Sequence, residues 1–164
     1  MEASAQSSDT AAALDAAKAL SAALRMLGQR EHSQSELVSK LRRKFPSLGD
    51  AQLDTVVNEL LENDWLSDTR FAESLIRSRA SRGYGPQYIA RELAAKGINP
   101  ELASAQLDAQ DQDWLANAVN LVERRHAGAG ESIDDWQRAA RFLQRRGFPS
   151  DIIGRALGDR PYPD

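Results

Sequence analysis

An internal repeat with a period of about 50 residues constrains the fold of this chain more than any other feature. Apolar residues and a glycine recur at the same intervals in two segments, with an offset of 50 residues throughout. The first segment holds Leu93, Gly97, Ile98, Leu102 and Leu107, and the second holds Leu143, Gly147, Phe148, Ile152 and Leu157. A step of 52 residues back from Leu93 reaches Leu41, so a third copy precedes them. Units with such periods bury their apolar faces partly against their neighbours.

The residues inside each copy predict helices. Apolar side chains follow the spacing of amphipathic helices, and β-branched and aromatic residues are scarce. Ser33 and Glu36 have capping-box spacing, Pro46 ends a helix, and Gly97 suits a left-handed cap. We therefore predict an all-α fold of three tandem three-helix repeats in an elongated, curved array. The alternative is a single irregular nine-helix bundle whose helices share similar caps.

The repeat spacing also predicts the boundaries of the segments. We place a disordered tail at 1–12, repeat one at 13–66, repeat two at 67–110, repeat three at 111–159 and a C-terminal tail at 160–164. In the first helix we expect one buried stripe, formed by Leu14, Ala17, Leu20, Leu24 and Leu27. We expect the three tryptophans to lie in the core or between repeats, and these are Trp65, Trp114 and Trp136.

No residue pattern in the chain points to catalysis. The absence of cysteine excludes a disulfide framework, a thiol nucleophile and a thiolate metal site. His32 and His126 lie in predicted interhelical segments, where a surface or loop role is expected. The glycines Gly83 and Gly85 follow a helix and lack the Lys-Ser/Thr of a phosphate loop. We predict a protein that is not an enzyme and has no cofactor and no metal site.

The sequence also predicts a location. No apolar run approaches the ~20 residues that a membrane span needs. The first residues are polar and acidic, without the pattern of a signal peptide. We expect a soluble, cytoplasmic protein that does not bind membranes.

Charge alternates along the chain in blocks although the net charge is only −3. Residues 25–44, 69–96 and 124–146 each carry six Lys or Arg, whereas residues 45–68 and 97–123 carry none. Stacking of equivalent blocks would separate a basic surface from an acidic one. The low net charge argues against a strong nonspecific nucleic-acid binder.

The basic blocks supply the candidate binding residues. Lys44, Lys96 and Arg146 occupy one position in the three repeats, where a cation also stabilises the helix dipole. The helix dipole does not account for the remaining candidates. They either bind a partner or form a surface that is merely solvated. The full candidate set is Arg42, Arg43, Lys44, Arg77, Arg79, Arg82, Arg91, Lys96, Arg124, Arg125, Arg138, Arg141, Arg145 and Arg146. Tyr84 and Tyr88 lie beside these residues and are either exposed contacts or packed side chains.

The middle repeat resembles the RecX family of recombinase regulators. The resemblance rests on Trp65–Ala72, on Gly85 with Ile89, and on the segment Glu92–Ile98. The opening repeat is similar through Ala22–Arg30, followed by Ser35, Leu37 and Leu41. The likeness covers about residues 17–158. Tyr88 departs from the family pattern, which has a basic residue there, and residues 46–49 lengthen the first turn.

The resemblance implies a cytoplasmic bacterial protein, a monomer, whose partner is the RecA recombinase filament on single-stranded DNA. Proteins of this kind block or destabilise the filament and lower its ATPase, strand-exchange and co-protease activities. A basic helical surface suits a groove that contains acidic protein and phosphate, with possible direct DNA contact. Within the candidate set we favour Arg42, Arg43, Arg77, Arg91, Arg141 and Arg145.

Two other functions stay open at this point. Three-helix units with short turns also resemble helix-turn-helix modules, so a DNA-binding regulator is the first alternative. The second is a helical scaffold that binds proteins only and is insensitive to nucleic acid. The low net charge disfavours the first, and the basic blocks disfavour the second.

Overall fold

Several helices of this chain begin after a side chain that accepts a free backbone N–H of the first turn, and several are followed by a glycine with positive φ. The computed structural model describes residues 2–159 and 161. Over these residues the chain forms nine helices, with no strand. They are α1 (Glu2–Gln29), α2 (Gln34–Lys44), α3 (Asp50–Glu62), α4 (Asp68–Ser81), α5 (Pro86–Ala95), α6 (Pro100–Ala109), α7 (Trp114–Arg125), α8 (Ile133–Arg145) and α9 (Ser150–Leu157).

The predicted helix boundaries are confirmed at several caps. Ser33 accepts the backbone N–H of Glu36 at 3.1 Å, and α2 ends before Pro46. Asn99 caps α6 through the N–H of Glu101 at 2.8 Å. The capping box at α2 is only half formed, because the Glu36 carboxylate accepts from Arg30 at 2.6 Å. The guanidinium of Arg30 thus takes the place of the backbone N–H of Ser33, which would otherwise donate to Glu36 and complete the box.

The N-terminal boundary differs from the sequence expectation. Helix α1 begins at Glu2, whereas the sequence pattern predicts a disordered tail over 1–12. Five alanines among residues 3–13 favour helix without supplying the apolar periodicity on which that prediction depends. At the other end, residues 160 and 162–164 of the predicted C-terminal tail lie outside the described residues.

The buried face of α1 corrects the predicted leucine stripe. Leu14 and Leu24 are exposed, whereas Ala19, Ala22 and Ala23 are fully buried. These small side chains pack in one core with Leu37 and Leu41 of α2 and with the apolar face of α3. One further expectation of burial is wrong, since Trp65 is 44% exposed.

The chain divides into two compact units. The first comprises residues 1–72 and 96–98, and the second comprises residues 73–95 and 99–164. The core of the first unit joins the alanine face of α1 to Leu37 and Leu41 of α2 and to the apolar face of α3. A core of the second unit is built by α7, α8 and α9 around Leu121, Leu143 and Phe148.

Each unit contains the same kind of junction between successive repeats. In the first unit, the Ser33 hydroxyl donates to the carbonyl of Lys96 at 2.7 Å, and Gly97 lies against Ser35. In the second unit, the N–H of Gly85 donates to the carbonyl of Arg146 at 2.7 Å. The glycine after a middle helix therefore packs on the start of the preceding repeat's middle helix. This contact explains why the glycine recurs at the 50-residue offset.

Candidate partner-binding surface

The junction in the second unit brings two arginines to one cavity. Gly147 has a φ of +87°, and its missing side chain allows close approach of the Tyr88 backbone. The end of α8 is thereby held at the start of α5. Arg91 of α5 and Arg145 of α8 then line a cavity of about 380 Å³ together with Tyr88 and Glu92.

The two arginines are available for a partner. Both are exposed, and neither forms an ion pair within the described part of the chain. Guanidinium groups offer several N–H donors in a planar arrangement that matches carboxylate or phosphate oxygens. Two such groups at one cavity can therefore bind an anionic group from two sides.

Arg79 holds the carboxylate of this cavity in place. Its Nε donates to one oxygen of Glu92 at 2.7 Å and its Nη2 to the other at 2.6 Å. The hydrogen bonds to Glu92 raise the pKa of Arg79, and both side chains are less than one quarter exposed. Glu92 is thus neutralised within the unit, and the cavity keeps its positive character from Arg91 and Arg145.

Arg146 is bound within the second unit as well. Its guanidinium lies 4.7 Å from the ring centroid of Tyr84 and 5.4 Å from that of Phe142, and Nη1 donates to the carbonyl of Arg82 at 3.2 Å. Tyr84 and Tyr88 stack with centroids 4.2 Å apart. The two tyrosines are half-buried, so they support the cavity through packing as well as lining its edge.

Three other candidates have acidic partners. Arg42 contacts Asp50 at 3.0 Å, Arg138 contacts Asp135 at 2.7 Å, and Lys96 lies 3.9 Å from Glu36. The first two pairs involve largely exposed cations and contribute little to stability.

The rest of the candidate set lies in solvent. Helix α8 presents Arg138, Arg141 and Arg145 on its exposed side and buries Ala139 and Leu143. The other exposed members are Arg43, Lys44, Arg77, Arg82, Arg124 and Arg125.

Sequence reasoning missed one basic cavity in the first unit. Lys18 and Arg25 of α1 line a cavity of about 420 Å³ with Lys44 and Phe45 of α2. The two α1 cations are seven residues apart and thus share a helix face. This spacing is a signal in the sequence, but Lys18 precedes the first basic block and so lies outside the pattern that defines the candidate set.

Both histidines contact neighbouring groups of the fold. His32 lies in the segment between α1 and α2, as expected, but it is only 3% exposed, so it is not a surface residue. Its Nδ1 lies 3.0 Å from the Arg30 carbonyl and its Nε2 lies 3.1 Å from Nζ of Lys40, and burial lowers its pKa. His126 packs against Phe142 at 4.8 Å between ring centroids. No cluster of His, Asp or Glu suited to a metal ion, and no helix able to span a membrane, occurs in the residues that the structure describes.

Comparison with known proteins identifies the repeats. Family models described as the first, second and third three-helix domains of RecX match residues 19–48, 67–107 and 111–157. The regulatory protein RecX of Stenotrophomonas maltophilia strain K279a is 42% identical over 135 residues, which cover 82% of each chain. The Legionella pneumophila protein of that name is 37% identical over 141 residues, or 85% of this chain and 93% of that one.

A solved structure is similar as well. The crystal structure of RecX from Lactobacillus salivarius matches with a TM-score of 0.79 and 26% identity, over 88% of this chain and 96% of the other. The predicted all-α fold of tandem three-helix repeats is thereby confirmed. This chain belongs to the RecX family of regulatory proteins.

Proposed function

We propose that this protein binds the RecA–DNA filament through its basic helical surface and inhibits or destabilises it. The filament's ATPase, strand-exchange and co-protease activities fall as a result. Membership of a family of regulatory proteins named RecX supports regulation of RecA as the general role. The protein acts in the cytoplasm as a monomer and without catalysis of its own.

One observation carries the assignment of the surface, namely the shared cavity of Arg91 and Arg145. These residues come from adjacent repeats and have no ion pair within the described residues, so binding an anion breaks no internal contact. Arg79 and Arg146 have the opposite role, because their contacts with Glu92 and with Tyr84 shape the cavity. Arg77 and Arg141 add exposed basic side chains in the second unit, and Arg42 and Arg43 do so in the first unit.

The first test measures RecA ATPase on single-stranded DNA while this protein is titrated from far below to equal stoichiometry. We expect inhibition at substoichiometric amounts. The double variant Arg91→Glu/Arg145→Glu should lose most of that inhibition. The single variants Arg91→Glu and Arg145→Glu should each lose part of it. The matched control for them is Arg155→Glu, which changes the net charge equally at an exposed arginine of α9 outside the candidate set and should inhibit nearly as the parent does. Circular dichroism checks that each variant is folded.

The outcomes separate the proposals. Equal losses of inhibition in Arg155→Glu and in the two single variants would point to net charge and not to the cavity. No inhibition by the folded parent at equal stoichiometry would overturn the RecA assignment. Salt-dependent binding of the isolated protein to duplex DNA would then favour the alternative, a helix-turn-helix-like DNA-binding regulator.

A further inference from the structure

Helices α8 and α9 enclose a slot that the proposed anion-binding cavity does not use. Its volume is about 330 Å³, and its lining is mainly apolar, with Trp136, Ala140 and Ile153 among the lining residues. Arg141 also lines it and is exposed. A slot of this size accommodates one large side chain of another molecule.

The tryptophan at one side of the slot is fixed in place. Its indole Nε1 donates to the carbonyl of Gly158 at 3.2 Å. This hydrogen bond ties the first turn of α8 to the residue that follows α9. Trp136 is consequently oriented before any partner arrives, so a partner orders fewer side chains on binding.

Gly154 leaves the slot open without an internal reason for a glycine. It lies inside α9 and is not among the glycines with positive φ. A Cβ built on it meets no atom within 4 Å. Glycine inside a helix is less favourable than alanine. Neither the backbone nor the packing of this unit therefore requires a glycine here, and its missing side chain keeps the slot open.

Arg141 indicates the charge of the occupant. It takes part in no ion pair and no hydrogen bond among the described residues. An unpaired guanidinium beside an apolar slot complements a carboxylate next to an apolar group. Gln137, Gln144 and Ser150 supply the polar part of the lining and can donate hydrogen bonds to the same carboxylate or to the backbone of the bound segment.

We propose that this slot binds one large apolar side chain of a protein segment, and that Arg141 pairs with a carboxylate close to that side chain. This inference rests on the proposed function, since the recombinase in the filament supplies the segment. The slot then acts as the apolar anchor of the interface, and the basic cavity supplies its charged contacts.

The test fills the slot. Fluorescence anisotropy measures binding of the full-length protein to RecA filaments assembled on labelled single-stranded DNA. Gly154→Leu should weaken binding about tenfold, as expected for loss of one anchor side chain. Gly28→Leu is the matched control, because a Cβ at Gly28 also meets no atom within 4 Å, and it should bind as the parent does. Arg141→Gln changes only an exposed side chain and should also weaken binding.

Each outcome has a distinct meaning. Failure of the folded parent to bind the filament would overturn the proposed function and this inference with it. Parent-like binding by Gly154→Leu and Arg141→Gln would overturn this inference alone. If Gly154→Leu weakened binding to bare single-stranded DNA as much as binding to the filament, the slot would be assigned to nucleic acid instead. If the parent self-associated in sedimentation and Gly154→Leu did not, with filament binding intact, the slot would be assigned to a second copy of the chain.

Discussion

Replacing Gly147 by alanine should destabilise the second unit more than the same change at Gly158. Gly147 has a φ of +87°, a conformation that side chains with a Cβ rarely adopt. A Cβ at this position would also collide with the backbone and Cβ of Tyr88. The substitution therefore strains the local backbone and separates the ends of α8 and α5.

The magnitude follows from two contributions. The left-handed conformation costs about 1–2 kcal/mol for an L-residue. Separation of the junction removes two backbone hydrogen bonds, from Gly85 to the Arg146 carbonyl at 2.7 Å and from Gln87 to the Gly147 carbonyl at 3.0 Å. Each contributes about 0.5–1.5 kcal/mol. The free energy of unfolding should thus fall by about 2–5 kcal/mol.

Urea unfolding followed by circular dichroism measures the loss. Gly158→Ala is the control, because Gly158 also has positive φ (+71°) but its added Cβ meets no atom within 4 Å. That variant should lose about 1–3 kcal/mol from the backbone conformation alone, because a φ of 71° with a ψ of −169° is a conformation almost restricted to glycine. Equal losses in the two variants would refute the reasoning, because the junction would then contribute nothing beyond backbone strain.

Three further changes test other contacts. Contacts with Arg30 and Lys40 lower the pKa of Glu36 from 4.5 to about 2, so its stabilisation is present above pH 4.5 and is lost as the pH falls toward 2. Glu36→Gln should therefore flatten the loss of stability over that range in urea unfolding, and a variant as acid-sensitive as the parent would contradict this. Arg79→Gln should lower the free energy of unfolding by about 1–3 kcal/mol because a mostly buried carboxylate loses its partner. By the same measurement, Ala23→Leu should cost about 1–3 kcal/mol by overpacking the core, and an unchanged midpoint in either variant would argue against these contacts.

Local signals in the sequence predicted the helix ends well. Ser33 caps the helix that it precedes, and Gly97 adopts the left-handed conformation expected of it. Such interactions join residues within one turn, so their spacing in the sequence is sufficient evidence. The 50-residue offset also identified Gly147 as the equivalent of Gly97, although the backbone that packs against Gly147 lies in the preceding repeat.

The buried faces were harder to predict because they depend on the distance between helices. In α1 the leucine spacing favours one face, whereas the structure buries Ala19 and Ala23 and exposes Leu14. Hydrophobicity alone ranks leucine above alanine, but close helix contact favours the smaller side chain. The sequence of α1 alone does not show how closely α2 and α3 approach it.

The functional surface shows the same division between local and distant information. The sequence identifies every basic residue, but it does not show which of them already has a partner. Arg79 and Arg91 belong to one basic block, yet only Arg79 contacts Glu92, which is 13 residues further along the chain. An arginine already paired with a carboxylate must break that contact before it binds another anion, whereas Arg91 only loses water. The energetic difference therefore favours Arg91 and Arg145 as contacts with a partner and Arg79 as a residue that positions the cavity.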